Sequence, residues 1–284
     1  MRQSKFAGSF YSAAPTVLEE QIKECFLDEN GPGDLPASSF KQPLKAVIVP
    51  HASFQFSGPC AAWSYKAVAE AEFPDLFILI GPSHAYPISG FTIEPFETPF
   101  GIVRVDQNFA RILGEKGNLK QNSIIHQDEH CLEVQLPFLQ FLFKKNLEKI
   151  KILPILLSQD ADLQKIVLDI KETLVETGKK AMFIISSDFT HYGRRFHYVP
   201  FCTEIKKNIY KLDEEAINFI KKMDFLGFEK FIHKNIATIC GATPISFILR
   251  FLGFAKVDLE QYYTSGDLTN DYKNSVSYAS ILFR

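Results

Sequence analysis

Short apolar runs that stop abruptly at polar turns constrain this chain more than any other feature. Residues 46–49 run into Pro50-His51, residues 76–80 into Gly81-Pro82-Ser83-His84, and residues 181–185 into Ser186-Ser187-Asp188. Unbroken aliphatic runs bounded by turn residues are the pattern of strands buried on both faces. Residues 150–157, 257–264 and 276–283 extend the set. Between them lie helix-period stretches. In 161–176, Ile166, Ile170 and Leu174 recur at the i, i+4 spacing of one buried face. Further helices are predicted over 15–26, 61–71, 131–143, 204–222 and 244–252, with Asp224 capping a short one that runs to His233. Strands alternating with helices predict an α/β protein with a central, mainly parallel or mixed sheet between helical layers.

No linker-like segment interrupts this pattern, so residues 1–284 are expected to form one domain. The stretch 28–42, with Asn30-Gly31-Pro32-Gly33 and Pro36-Ala37-Ser38-Ser39, reads as an exposed connection within it. Hydrophobic residues make up 46% of the chain, charged residues 23%, and the formal net charge is -2, so a nucleic-acid partner is not expected. The apolar runs are far too short to span a bilayer, and Met1-Arg2-Gln3-Ser4-Lys5 lacks a signal-peptide core. A cytoplasmic protein that does not enter membranes is the expectation. Cys25, Cys60, Cys131, Cys202 and Cys240 are scattered and form no CxxC pair, which argues against a disulfide framework or a zinc knuckle.

Chemistry concentrates where the buried runs end, because ligands of open α/β sheets bind outside the carboxyl ends of the strands. His51 and His84 both stand there, and imidazoles at the ends of two strands can converge on one ion. The alternative for each is a hydrogen-bonded turn histidine. Asp188 and His191, in Ser187-Asp188-Phe189-Thr190-His191, form a third element, in which Asp188 either orients His191 or binds metal and His191 serves as acid or base. His130 and Glu133 are spaced to share a helix face, with Glu133 explained equally well by its place near a helix start. Cys240 precedes another helix start, where a thiolate is favoured. His126, His197 and His233 read as surface residues.

Taken in order, these blocks resemble the MEMO family, cytosolic proteins named for a mediator of receptor-driven cell motility. The likeness runs from Ala7-Gly8-Ser9-Phe10-Tyr11 through Val49-Pro50-His51-Ala52, Gly81-Pro82-Ser83-His84, Asp128-Glu129-His130, Glu133-Val134-Gln135-Leu136-Pro137 and Ser186-Ser187-Asp188-Phe189-Thr190-His191 to Ile239-Cys240-Gly241 and Ser275-Val276-Ser277-Tyr278-Ala279. It implies a fold like that of the class III extradiol dioxygenases. His51 and His84 match the two histidine ligands, Cys240 takes the place of the dioxygenase glutamate, and Asp188 and His191 line the same pocket. It also implies an iron or copper ion, iron favoured, and redox chemistry on an unknown small molecule or peptide. A thiolate in place of a carboxylate keeps dioxygenase activity from carrying over directly. The chain departs from the family at Ser53, Phe54, Gln55, Phe56 and Ala85. Phe10 replaces the tryptophan of the animal protein. Loss of that indole and of a tyrosine hydroxyl at Phe56 argues against a phosphotyrosine-peptide partner. The other readings of the pocket are a peptide- or small-acid-binding scaffold without chemistry and a thiol nucleophile at Cys240.

Overall fold

The computed structural model describes residues 1–37 and 42–284. Residues 38–41 of the expected connection lie outside them. Of the rest, 28–37 holds neither helix nor strand and is largely exposed, and Gln42 makes an isolated bridge to Ala71.

The chain opens with α1 (Pro15–Leu27), β1 (Ala46–Val49), α2 (Phe54–Glu70) and β2 (Leu76–Pro82). Short elements follow: β3 (Gly90–Phe91), β4 (Phe96–Thr98), β5 (Gly101–Val105), α3 (Gln107–Lys116), β6 (Lys120–Gln121) and α4 (Ile124–Gln127). A 3-10 turn (Glu133–Gln135) leads into α5 (Leu136–Leu142), then β7 (Lys151–Leu157), α6 (Leu163–Thr177), β8 (Ala181–Ser186) and β9 (His191–Gly193). The last part holds α7 (Ile205–Lys221), α8 (Phe225–Asn235), α9 (Ala242–Leu252), β10 (Val257–Thr264), α10 (Ser265–Thr269) and β11 (Asn274–Phe283).

This is the expected α/β architecture. The main strands lie in the order β10-β11-β1-β8-β2-β7-β3-β6. β1, β8, β2 and β7 are parallel neighbours, whereas β11 runs antiparallel to both β1 and β10, so the sheet is mixed. All residues of β1 and β2 are buried, as continuous apolar runs in a covered parallel sheet should be. Helices flank it: α2 packs with α1 and α5 and against β1, β10 and β11, while α9 packs with α6 and α8 and against β2 and β8. Among the described residues no helix is long and apolar enough to cross a membrane.

The helix boundaries differ from expectation in instructive places. α2 starts at Phe54 rather than residue 61, with Pro59 inside it, because the hydroxyl of Ser57 turns back to the carbonyl of Ala52 and the chain is already helical before the proline. The helix expected over 131–143 begins as α5 only at Leu136, with Pro137 in its first turn, where a missing N–H costs nothing. α3 is an addition to the sequence reading. It is capped by the Asp106 side chain on the Phe109 N–H and stopped by Gly117. Asp224 caps α8 as expected, accepting from the Gly227 N–H.

Candidate metal centre

The aligned C-terminal ends of β1, β8 and β2 bring Pro50-His51, Ser187-Asp188 and Ser83-His84 to one edge of the sheet. Cys240 arrives from the turn before α9. That turn presses so closely on β8 that a Cβ on Gly241 would stand 2.3 Å from the Cβ of Ser187, so only glycine fits beside the cysteine. In the same way a Cβ on Gly81 would meet the Cys131 sulfur at 2.4 Å, which lets the turn carrying His130 lie against the end of β2.

His51, His84 and Cys240 each place a donor atom within 4.8 Å of the others. Nε2 of His51 is 3.1 Å from Sγ of Cys240. The hydrogen bonds behind the rings fix which nitrogens face forward. The Ser186 hydroxyl has one proton, donated to the Cys131 carbonyl at 2.6 Å, so it can only accept from Nε2 of Gln135 and from Nδ1 of His51, each at 2.9 Å. The Gln135 amide is itself oriented by donating to the Pro50 carbonyl. His51 therefore carries its proton on Nδ1 and turns the lone pair of Nε2 toward Cys240. Nδ1 of His84 is 2.9 Å from the Glu129 carboxylate, which likewise leaves its Nε2 free.

Electrostatics leave this cluster short of positive charge. Burial holds His51 well below the ordinary imidazole range, with the neighbouring His84 adding to the effect. Burial takes His130 down to about 3, with His51 contributing. Burial pushes the Cys240 thiol up, reinforced by Asp188, which overrides the thiolate-favouring helix start expected from the sequence. Burial also raises Asp188, against the pull of His191 and the His51 N–H. Burial alone would raise Glu129 too, but hydrogen bonds from His84 and from backbone N–H groups outweigh it and hold the carboxyl well below the usual range. With His51 and His130 held neutral by burial and the Glu129 carboxyl held ionised, the cluster around His84 is suited to a cation.

The remaining residues of interest are placed as follows. Asp188 accepts from the His51 backbone N–H at 2.8 Å. Nδ1 of His191 is held instead by the carbonyls of Phe189 and Thr238, at 2.9 and 3.0 Å. His130 and Glu133 do not act as a pair. The His130 ring centre lies 5.2 Å from that of His51 and 5.0 Å from that of His84, with Phe10 packed on it at 4.8 Å. Glu133, fully buried, anchors the N-terminal segment through an ion pair with Arg2, the Phe6 N–H and the Tyr11 hydroxyl. His126 is buried rather than at the surface, because it shares the inward side of α4 with the buried Ile125 and its ring lies beside Gly90 of β3, while Ile124 takes the solvent side. His197 and His233 are exposed as expected. Glu129, Ser186 and Gln135 had no assigned role in the sequence. Only Glu129 left a signal, an acid directly beside a histidine in one of the ordered blocks.

An open cavity of about 850 Å³ borders the cysteine, lined by Ile232, Ile236, Thr238, Cys240, Thr243 and Arg250 among others. Arg250 is engaged there by a two-pronged ion pair with Glu229.

A family profile described as Memo-like protein matches residues 2–282. The chain is 34% identical over 297 residues to a MEMO1 family protein of Methanopyrus kandleri, an alignment covering 100% of this chain and 99% of the relative. A MEMO1 family protein of Methanothermobacter thermautotrophicus is 33% identical over 293 residues, 99% of each chain. One from Pyrobaculum aerophilum is 34% identical over 296 residues, 100% of this chain and 99% of its own.

Proposed function

This chain belongs to the Memo-like protein family, and on that premise we propose that it is a cytoplasmic, metal-dependent redox protein whose ion is held by His51, His84 and Cys240. The observation that carries this reading is the convergence of two imidazole Nε2 lone pairs and one sulfur, with both ring tautomers set from behind by Ser186 and Glu129. Two nitrogens and a soft sulfur suit iron or copper, iron foremost, better than magnesium or calcium. When bound, such an ion supplies one-electron exchange with a small molecule or peptide.

The chain's own residues do the rest. Glu129 keeps the His84 ring in register, and Ser186 does the same for His51. Asp188 fixes the His51 backbone and places a carboxyl beside His191. His191, its Nδ1 proton committed to two carbonyls, offers Nε2 to take or give a proton. The thiol proton of Cys240 leaves when the ion binds, so uptake releases acid.

Anaerobic purification followed by metal analysis tests the reading. Wild type is expected to carry iron or copper near one ion per chain, and the H51A/H84A/C240A variant to lose it. Equal, low metal in both would sink it. Oxygen uptake with a reductant and candidate catechols then asks whether the ion turns over. A second reading, binding of a peptide or small acid without chemistry, draws on the cavity beside Cys240. It takes over if metal-free protein binds such a ligand with an affinity that C240A leaves unchanged.

A further inference from the structure

A second set of metal-type side chains shares one member with the first. His84, Glu129 and His130 also place one donor atom each within 4.8 Å of the others. Nδ1 of His84 is 2.9 Å from Glu129 Oε1, and Nδ1 of His130 is 3.3 Å from the same oxygen. The two rings are stacked, 5.0 Å apart and 16° from parallel, so both Nδ1 edges face one carboxylate. Donors bound at about 2.0–2.2 Å to one tetrahedral ion stand roughly 3.3–3.6 Å apart, and the two nitrogen–oxygen distances here, 2.9 and 3.3 Å, lie close to that.

The charge balance points the same way. Glu129 is only 3% exposed, and among the described residues no lysine or arginine pairs with its carboxylate. Arg2 donates to the Glu129 main-chain oxygen but pairs its charge with Glu133. Besides the two imidazoles this buried carboxylate meets only the backbone N–H groups of His84 and Cys131, so among the described residues no cationic side chain of fixed charge faces it, and a cation between the three donors would supply that charge. Solvent reaches the spot, since His84 is exposed and His130 partly so, whereas His51 is buried.

We propose that His84, Glu129 and His130 form a second cation position, a nitrogen–nitrogen–oxygen set for a borderline divalent ion such as zinc or copper(II). It uses Nδ1 of His84, whereas the thiolate position uses Nε2. Filling it moves the His84 proton from Nδ1 to Nε2, which takes that nitrogen out of the thiolate position. Filling both positions would require His84 to give up its second ring proton, so the two are occupied in turn. The outer position captures an ion from solvent, and the inner, softer one receives it. Only this capture role rests on the proposed function; the site itself does not need Cys240.

Cobalt(II) is the probe, because a thiolate bound to it gives a charge-transfer band that nitrogen and oxygen donors lack. The C240A variant is expected to bind one cobalt(II) per chain without that band, and C240A/H130A to bind it about tenfold more weakly or worse. H130A alone should keep the thiolate band. C240S, run in parallel, covers a folding defect in C240A. Failure of both cysteine variants to bind cobalt(II), or binding indifferent to H130A, overturns the second position. A wild type without the thiolate band, combined with His130-dependent binding, would instead remove the thiolate site and leave this one standing.

Discussion

Replacing Ser186 by alanine should loosen the metal centre from behind without touching a ligand. Its hydroxyl donates to the Cys131 carbonyl at 2.6 Å and accepts from Gln135 and His51 at 2.9 Å, and Ser186, Cys131, Gln135 and His51 are all buried. Gln135 keeps its bond to the Pro50 carbonyl. The Cys131 carbonyl and the His51 Nδ1–H are left without these partners, and each buried unsatisfied group costs about 1–3 kcal/mol, so S186A should lose about 2–4 kcal/mol after relaxation. Released from its acceptor, His51 can move the proton to Nε2, where it blocks ligation. Metal affinity should fall by about 10–100-fold, the usual effect of removing a partner that orients a ligand. Urea unfolding of metal-free protein reads the first quantity and competition with a chromophoric chelator the second. A variant within about 0.5 kcal/mol of wild type in stability and within about threefold in affinity would refute the tautomer assignment.

Two further outcomes follow from buried groups outside the ligand set. R2A strands the fully buried Glu133 carboxylate, so it should cost about 3–5 kcal/mol in urea unfolding and expose the backbone of residues 1–11 to faster hydrogen exchange, while R2K should recover part of the loss. Burial takes His126 down to about 3 from an ordinary 6.5, and its Nε2 has no hydrogen-bond partner among the described residues. As pH falls from about 6.5 to about 3 the unfolded chain binds a proton there that the folded chain refuses, so stability drops through that window by an amount on the order of 5 kcal/mol. H126L should lose less stability than wild type between pH 7 and about 4.5, and parallel losses would show that His126 does not contribute.

The central strands are readable because burial on both faces demands aliphatic residues throughout, as at Ala46–Val49 and Leu76–Pro82, with turn residues just beyond. The strands Gly90–Phe91 and His191–Gly193 escaped for the opposite reason. Each is held by pairing to a distant strand, β7 in one case and β11 in the other, and two or three residues carry no period of their own. Gly58-Pro59 resembles a helix stop, so the sequence predicts α2 only from residue 61, yet a proline in the second turn of an established helix gives the same local signal as one that ends it.

The site divides along the same line. His51, His84 and Cys240 could be picked out because a strand end or helix start has a local signature and these residue types bind metals. The groups that decide how those side chains behave lie far away in sequence: Glu129 is 45 residues from His84, Ser186 is 135 from His51, and Gln135 is 51 from Ser186. No spacing rule connects them; only the packed fold does. The consequence is chemical. A histidine in a sequence is a donor with two faces, and the choice between Nδ1 and Nε2 settles which ion position it serves. His51 has that choice made for it by a hydroxyl whose only proton is already spent on a carbonyl. His84 has it made by a carboxylate, which unlike a serine hydroxyl has no proton to commit and can itself bind a cation. Of the two supports, the one at His84 is therefore the reversible one, and that difference is what allows a second ion position there and none behind His51.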